Sequence, residues 1–373
     1  MRFIATCKIG LEALVADELR ALGIEIEGVY DARVIFKGDT LAMARACIWL
    51  RTAERVLFIL DEFHAESFEE LYCGVRAVKW SDYIPKDAFI HVTGKSAKSK
   101  LFAVSDCQSI AKKAIVDNLF EAYRTTSLPE TGDEMIVEIG LLRDTATVAL
   151  DCCGAGLSRR GYRTWNVAAP IAETLGAAIV KLARYNAATV LVDPMCGSGT
   201  MPIEAAMIAR NMAVGANRSF AAESWRFLNG RPFETAREQA RDSVIDVRPE
   251  IIGSDIDPHA IDICKRHAKK AGVEIDFYTR PLAEFTAPCE SGIVVCNPPY
   301  GERLMEKRDA ERLYRQMHDC FDKLVHWDLN IITSHKDFER IYGKKADKRR
   351  KLSNGGMTCT LYRYFAPEGF IKS

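Results

Sequence analysis

From about residue 170 onward, the apolar positions of the chain switch between two rhythms. "APIAETLGAAIVKLARY" places Ile171, Leu175, Ala178, Ile179 and Leu182 on one helical face. "TVLVDPMC" then gathers its apolar residues into a short β-branched run, followed by a glycine-rich turn and the helical "PIEAAMIARN". The exchange repeats in "EIIGSDIDP", a strand that feeds the helix "HAIDICKRHAKKAG", where Gly272 is the expected stop. "VEIDFYT", "GIVVCNPPY" and "LNIITSH" predict three more strands, the last preceded by the helical "AERLYRQMHDCFDKLV". Strands separated by helices predict an α/β fold with a doubly wound parallel sheet. The tail "KLSNGGMTCTLYRYF" predicts an antiparallel hairpin, because Asn354-Gly355-Gly356 supplies the positive-φ residues of a tight turn between alternating runs. The first 155 residues differ: "RFIATCK", "ARVIFKG" and "AFIHVTGKSAKSK" alternate with helical runs such as "SDCQSIAKKAIVDNLFEAY", which predicts α+β modules without a buried parallel core. Residues 211–247 read as an insertion with partial helical spacing and no assigned role.

Composition narrows the field. A length of 373 residues suits two to three domains, and 48% apolar with 27% charged residues is ordinary for soluble globular protein. No 18-residue apolar run occurs, and "MRFIATCKIGLEALVADELR" carries charges through its apolar positions, so the expected setting is cytoplasmic, with no membrane partner. The twelve cysteines form no Cys-x-x-Cys pair, and Cys264, Cys296 and Cys359 sit in apolar runs as small hydrophobes. The seven histidines include no His-x-x-x-His pair, so no metal site is expected. The net charge of zero hides an asymmetry, with 18 Lys+Arg against 24 Asp+Glu in residues 1–155 and 33 against 27 in residues 156–373. A nucleic-acid partner would therefore be held by local basic stripes. Candidates are Lys95, Lys98 and Lys100 in "GKSAKSK", Arg159, Arg160 and Arg163 in "SRRGYR", and Lys348, Arg349 and Arg350 in "KKADKRRK". A solvated face is the plain alternative for each.

Three strand ends carry candidate chemistry. "VDPMCGSGT" puts Asp193, Pro194, Cys196, Gly197, Ser198, Gly199 and Thr200 in a strand-to-helix turn, where glycine permits close backbone approach and a helix amino terminus favours an anion. No Walker lysine follows, and an acid at the strand end would repel phosphate while pairing with an ammonium. A ligand with both carboxylate and ammonium is an amino acid, which points to the methionyl end of S-adenosylmethionine. At the second strand end, Asp255 suits ribose hydroxyls, while Asp257 before Pro258 suits a helix N-cap or a lesser share of binding. At the third, "NPPY" forces the chain out of the sheet stiffly at Asn297, since neither proline can donate to a ladder. The Asn297 side-chain oxygen and the Pro298 carbonyl could accept the two hydrogens of an exocyclic amine, aiming its lone pair at a methyl donor while Tyr300 stacks on the base. A turn that merely ends a strand is the alternative.

"DPMCGSGT", "GSDIDP" and "NPPYGERL", in that order, resemble the class I (Rossmann-like) S-adenosylmethionine-dependent methyltransferases that act on exocyclic amines. "GKSAKSKLFAVSDCQSIAKKAI" and "VALDCCGAGLSRRGYR", followed by "APIAETLGAAIV", are similar to a THUMP domain and its junction to a catalytic domain. Together they resemble the THUMP-containing RNA guanine-N2 methyltransferases over nearly the whole chain, close to the amino-terminal half of the bacterial large-subunit ribosomal RNA enzyme. The resemblance implies a ferredoxin-like module at 1–55, THUMP at 56–158, a linker at 159–170 and a methyltransferase domain at 171–373. It also implies S-adenosylmethionine as cofactor, held by Asp193, Gly197, Gly199 and Asp255, an RNA partner, ribosomal before transfer RNA, and amine activation by Asn297, Pro298 and Tyr300. An acid expected after the third strand for the adenine is missing; "YTRPLAEF" offers Arg280, Pro281 and Glu284 instead. A transfer-RNA guanine-N2 enzyme, an adenine-N6 methyltransferase and a non-catalytic RNA-binding assembly factor are the competing readings.

Overall fold

Proline pairs, glycine turns and capping acids divide the chain where the sequence pattern changes. The computed structural model describes residues 1–164, 170–228, 230–300 and 304–367. Two compact units emerge. One comprises Met1–Cys7, Val15–Leu157 and Arg218–Glu238, and the other Lys8–Leu14, Ser158–Asn217 and the chain from Gln239 onward.

The first unit is built on strands β1 (Arg2–Cys7), β2 (Glu25–Tyr30), β3 (Arg33–Lys37), β4 (Ala53–His64), β5 (Phe89–Ala97), β6 (Glu134–Leu142) and β7 (Thr145–Asp151). They form one sheet in the order β2-β3-β1-β4-β7-β6-β5, antiparallel except for the β5–β6 pair. Strand β4 is long enough to pair with β1 through its first half and with β7 along most of its length, and it runs through the boundary expected at residues 55/56. Helices α1 (Glu12–Ala21), α2 (Thr40–Trp49), α3 (Phe68–Ala77) and α4 (Val104–Tyr123) fall between these strands in the chain. Ser67 and Glu70 close a reciprocal capping box at the start of α3, and Asp39 caps α2.

The insertion left without a role belongs to this unit over Arg218–Glu238. Arg218 donates to the carbonyls of Cys153, Ala155 and Gly156. Trp225, buried, stacks on Phe227 at 5.3 Å, and Phe227 meets Tyr83 edge-on at 5.2 Å. Its apolar residues therefore serve a core that its sequence neighbours do not share.

In the second unit, helix α5 (Glu173–Leu182) precedes β8 (Leu191–Asp193), α6 (Thr200–Ala209), α7 (Pro232–Asp242, whose first part lies in the other unit), β9 (Ile251–Asp255), α8 (Pro258–Ala271) and β10 (Asp276–Thr279). Then come β11 (Ser291–Cys296), α9 (Leu304–Phe321), β12 (His326–Thr333), α10 (Phe338–Tyr342), β13 (Lys348–Asn354) and β14 (Met357–Tyr364). The sheet order is β10-β9-β8-β11-β12-β14-β13, parallel through β12 and antiparallel in the closing hairpin, as the periodicity predicts. Gly355 and Gly356 turn that hairpin at φ +56° and +89°. Strand order reverses beside β8, which pairs with β9 on one side and β11 on the other, so a crevice is expected at their carboxyl ends. Tyr314, Met317 and Phe321 of α9, Phe338 and Tyr342 of α10, and Trp327 and Tyr362 of the sheet belong to one buried, largely aromatic cluster.

Candidate active site

Three strand ends converge at that crevice. Asp193 ends β8, Asp255 ends β9, and Asn297 follows the last residue of β11. With α6, α9 and the hairpin they line a cleft of about 680 Å³. Of the residues singled out from the sequence, Asp193, Pro194, Cys196, Gly197, Ser198, Thr200, Asp255, Asn297, Pro298 and Tyr300 line it, whereas Gly199 and Asp257 do not.

The turn after β8 is shaped by its glycines. Gly197 has φ +53°, and the space a Cβ would enter there is open. Gly199, at φ +78°, starts α6 without a side-chain cap. The Asp255 carboxylate secures this turn by accepting from the Gly197 N–H at 3.0 Å, and its other oxygen accepts from the Asp257 N–H at 3.0 Å. Asp257 itself accepts from the His259 N–H at 2.9 Å with Pro258 at the first helical position, which is the capping role weighed for it.

Asp193 is fully buried. One oxygen accepts from the Met195 N–H at 3.2 Å, and the other, Oδ2, has no partner among the described residues. Burial, with the Asp255 charge adding to it, pushes its carboxyl well above the usual carboxylate range. An orphaned buried carboxylate oxygen at the edge of a cleft is a receptor for a cation. S-adenosylmethionine fits this set: Asp193 for its ammonium, the open face of Gly197 for close backbone approach, and Asp255 for ribose hydroxyls. Ile256, Arg280, Pro281 and Leu282 line the same cleft, while Glu284 does not. Cys296 is buried and its thiol is pushed up by burial, so it is a core residue and no nucleophile.

At the proline corner, the Tyr300 hydroxyl donates to Asn297 Oδ1 at 2.5 Å. Burial, chiefly, raises the Tyr300 pKa, so the hydroxyl stays a donor. The amide oxygen keeps one lone pair for a second donor. Gly301, Glu302 and Arg303 of the "NPPYGERL" motif lie outside the described residues. Sequence reading missed several lining residues: Leu313 and Gln316 of α9, and Asn354 and Met357 at the hairpin turn. It also missed Tyr314, whose hydroxyl donates to the Pro299 carbonyl at 3.0 Å. Nothing but helical core spacing marked that tyrosine.

The basic stripes divide. Arg160 is a correction to the expected RNA contacts, and Arg163 is half-buried. The Arg160 side chain is 1% exposed and its Nε donates to the equally buried Glu204 at 3.2 Å, which also accepts from the Tyr162 hydroxyl. Arg163 donates to Glu173 at 2.6 Å and to the Ile171 carbonyl at 2.8 Å. Both turn inward because the acids of α5 and α6 would otherwise be buried without a counter-charge. Arg159 is exposed. Lys95 and Lys100 are exposed and ion-paired to Glu138 and Glu66, with Lys98 exposed between them. Lys348 and Arg349 are exposed and Arg350 half-buried on β13, the edge strand of its sheet, where Arg349 pairs with Glu339.

Comparison with known proteins then settles the family. Residues 160–363 match the RMKL-like methyltransferase domain, residues 2–57 the RlmL ferredoxin-like domain and residues 65–151 the THUMP domain. The chain belongs to the RMKL-like methyltransferases. It is 43% identical over 368 residues to the Bacillus subtilis protein named "Putative RNA methyltransferase YpsC", covering 97% of this chain and 95% of that one. It is 33% identical over 386 residues to the ribosomal RNA large subunit methyltransferase K/L of Aliivibrio fischeri, covering 98% of this chain but 54% of the relative, so it spans about half that protein's length. Among solved structures, the protein described as "SMU.472, a putative methyltransferase complexed with SAH" superposes with a TM-score of 0.91 at 39% identity, covering 100% of this chain and 99% of the other. A Listeria monocytogenes protein described as a "predicted N6-adenine-specific DNA methylase" superposes with a TM-score of 0.92 at 43% identity, over 98% and 96% of the two chains. Among the described residues, no helix is long and apolar enough to cross a membrane, and no cluster of His, Cys, Asp or Glu suits a metal ion.

Proposed function

We propose that this protein transfers a methyl group from S-adenosylmethionine to the N2 amine of a guanosine in RNA, with large-subunit ribosomal RNA as the substrate. The observation that carries the reading is the meeting, in one cleft, of the orphaned Asp193 oxygen, the Asp255 carboxylate and the Asn297–Pro298 corner. The THUMP match and the ribosomal RNA relatives support an RNA substrate. When bound, the donor supplies an electrophilic methyl on a sulfonium; the rest is positioning. Asp193 pairs with the donor's ammonium and Asp255 holds its ribose. Asn297 Oδ1 and the Pro298 carbonyl accept the two amine hydrogens, which draws the nitrogen lone pair out of conjugation and turns it toward the methyl. The base must be unpaired or flipped to enter. Tyr300 presents its ring to the base and, through its hydroxyl, fixes which way the Asn297 amide points. The product cation is strongly acidic and loses its proton to solvent, so no general base is required. Lys95, Lys98 and Lys100, with Arg159, Lys348, Arg349 and Arg350, contribute phosphate contacts.

An adenine-N6 reaction uses the same corner, and the Listeria protein, described as an N6-adenine methylase, keeps it as the competing outcome. The test is transfer of labelled methyl to unmodified ribosomal RNA and, separately, transfer RNA, followed by digestion and mass spectrometry, with Asn297→Ala as control. N2-methylguanosine in the ribosomal RNA pool, lost in the variant, is the expected result. N6-methyladenosine would overturn the guanine assignment, and N2-methylguanosine confined to transfer RNA would overturn the substrate.

A further inference from the structure

The proline corner is held from outside the motif. The Tyr314 side chain, from the middle of α9, is fully buried among aromatic neighbours: His335 meets its ring edge-on at 5.6 Å and Phe338 at 5.1 Å. Its hydroxyl donates to the Pro299 carbonyl at 3.0 Å and lies 3.0 Å from Thr333 Oγ1, at the end of β12. Thr333 Oγ1 in turn accepts from the His335 N–H at 3.1 Å. The donor and acceptor roles admit one consistent order. The backbone N–H of His335 can only donate, so the Thr333 hydroxyl accepts from it and passes its own proton to Tyr314; a carbonyl can only accept, so Tyr314 donates to Pro299.

We infer that Tyr314 is a positioning residue for methyl transfer, and that the chain His335 N–H, Thr333 hydroxyl, Tyr314 hydroxyl, Pro299 carbonyl fixes the angle at which the Asn297–Pro298 corner meets the amine. This rests on the role given to Asn297 and Pro298 above. The two prolines fix φ at 298 and 299 and hold the ψ of Asn297 and Pro298 extended, but leave the ψ of Pro299 open, and that ψ sets where the Pro299 carbonyl points. Pinning the Pro299 carbonyl from below removes that freedom one residue beyond the acceptor pair. Hydrogen bonds aligned in one direction polarise and strengthen one another in a water-poor interior. Burial pushes the Tyr314 hydroxyl up to about 12, so it remains a donor at any working pH. The anchor also comes from the end of β12, beside β11 in the sheet, so the corner is held to the strand it would otherwise swing away from.

The test compares Tyr314→Phe, Thr333→Val and Thr333→Ser with the parent. Tyr314→Phe keeps the ring and its packing and removes only the hydroxyl. The expected result is a fall in kcat of about 10- to 100-fold, since small misplacements of reacting groups have effects of that size, with the affinity for S-adenosylmethionine unchanged. Thr333→Val is expected to fall in the same direction, Thr333→Ser to retain parental turnover, and the double variant Tyr314→Phe with Thr333→Val to be no slower than Tyr314→Phe alone. Hydrogen exchange of the peptide covering residues 295–300 gives a readout without RNA, and faster exchange is expected in Tyr314→Phe. Parental kcat with parental exchange in Tyr314→Phe overturns the inference. So does a loss shared equally between turnover, donor affinity and thermal unfolding, which would mark a purely structural hydroxyl. If the parent methylates neither RNA, the functional reading falls, and exchange at the corner still decides the role of Tyr314.

Discussion

Replacing Asp193 by Asn probes the donor site at its most unusual group. In the free protein this carboxyl is fully buried, receives one backbone N–H, leaves Oδ2 without a partner and faces the field of Asp255. Its pKa is therefore raised, and the protonated form is favoured until a cation arrives. Donor binding then requires that proton to leave. Below the raised pKa, affinity for S-adenosylmethionine should rise about tenfold per pH unit and then reach a plateau, with release of up to one proton per ligand bound. Asp193→Asn should remove that slope and lower the plateau by about 1.5–3 kcal/mol, or about 10- to 160-fold in Kd, the worth of a hydrogen bond to a charged group. Stability responds with the opposite sign. Because the folded pKa lies above the unfolded value, the folded state binds more protons between the two. The ligand-free parent therefore loses stability as pH rises through that window, and Asp193→Asn does not. Calorimetry in buffers of different ionisation heat measures the proton release. The donor's own amino group titrates near pH 8, at roughly 7.7–8.0 as a free amine, and the Asn variant subtracts it. A parent whose Kd and proton balance do not differ from those of Asp193→Asn at any pH above the ordinary carboxylate range would refute the reasoning.

Two further outcomes follow from the same geometry. Tyr300→Phe removes the hydroxyl that orients the Asn297 amide and should lower kcat by about 2- to 10-fold, equivalent to one neutral hydrogen bond, with unchanged donor affinity by equilibrium binding. Arg160→Ala, which strands the buried Glu204 carboxylate, should cost about 3–5 kcal/mol in urea unfolding. It should leave the salt dependence of RNA binding untouched, whereas Lys98→Ala should reduce that slope by about 0.7–0.9.

The parallel sheet and closing hairpin were legible because periods of 3.6 and 2 residues alternate cleanly after residue 170, and the acids and prolines at the strand ends mark where β8, β9 and β11 stop. Even so, β8 is only three residues long, too short to stand out without its glycine turn. Arg160 was misread because "SRRGYR" has the same composition whether it faces solvent or pairs with acids on α5 and α6. The distant partner, Glu204, has no signature in the one-dimensional pattern. Tyr314 was hidden for the reverse reason: its spacing on α9 is that of any core residue, and only the hydroxyl's neighbours separate it from a phenylalanine. Glu284, an open alternative to the main chain in the sequence, sits in the short turn after β10 and does not line the cleft that Arg280 and Pro281 line.

The excursion at Arg218–Glu238 makes the two units poor candidates for exchange as modules. A gene trimmed to the methyltransferase region would carry Phe227, on which Trp225 stacks, without the Phe58 and Tyr83 rings it lies against. One trimmed after Leu157 would deprive the first unit of the arginine that gathers three of its carbonyls. Transplanting this catalytic centre onto a different RNA-reading head would therefore mean redesigning a stretch of about twenty residues in the middle of the donor gene, and recombination at the apparent domain boundary would be a lossy way to diversify such enzymes.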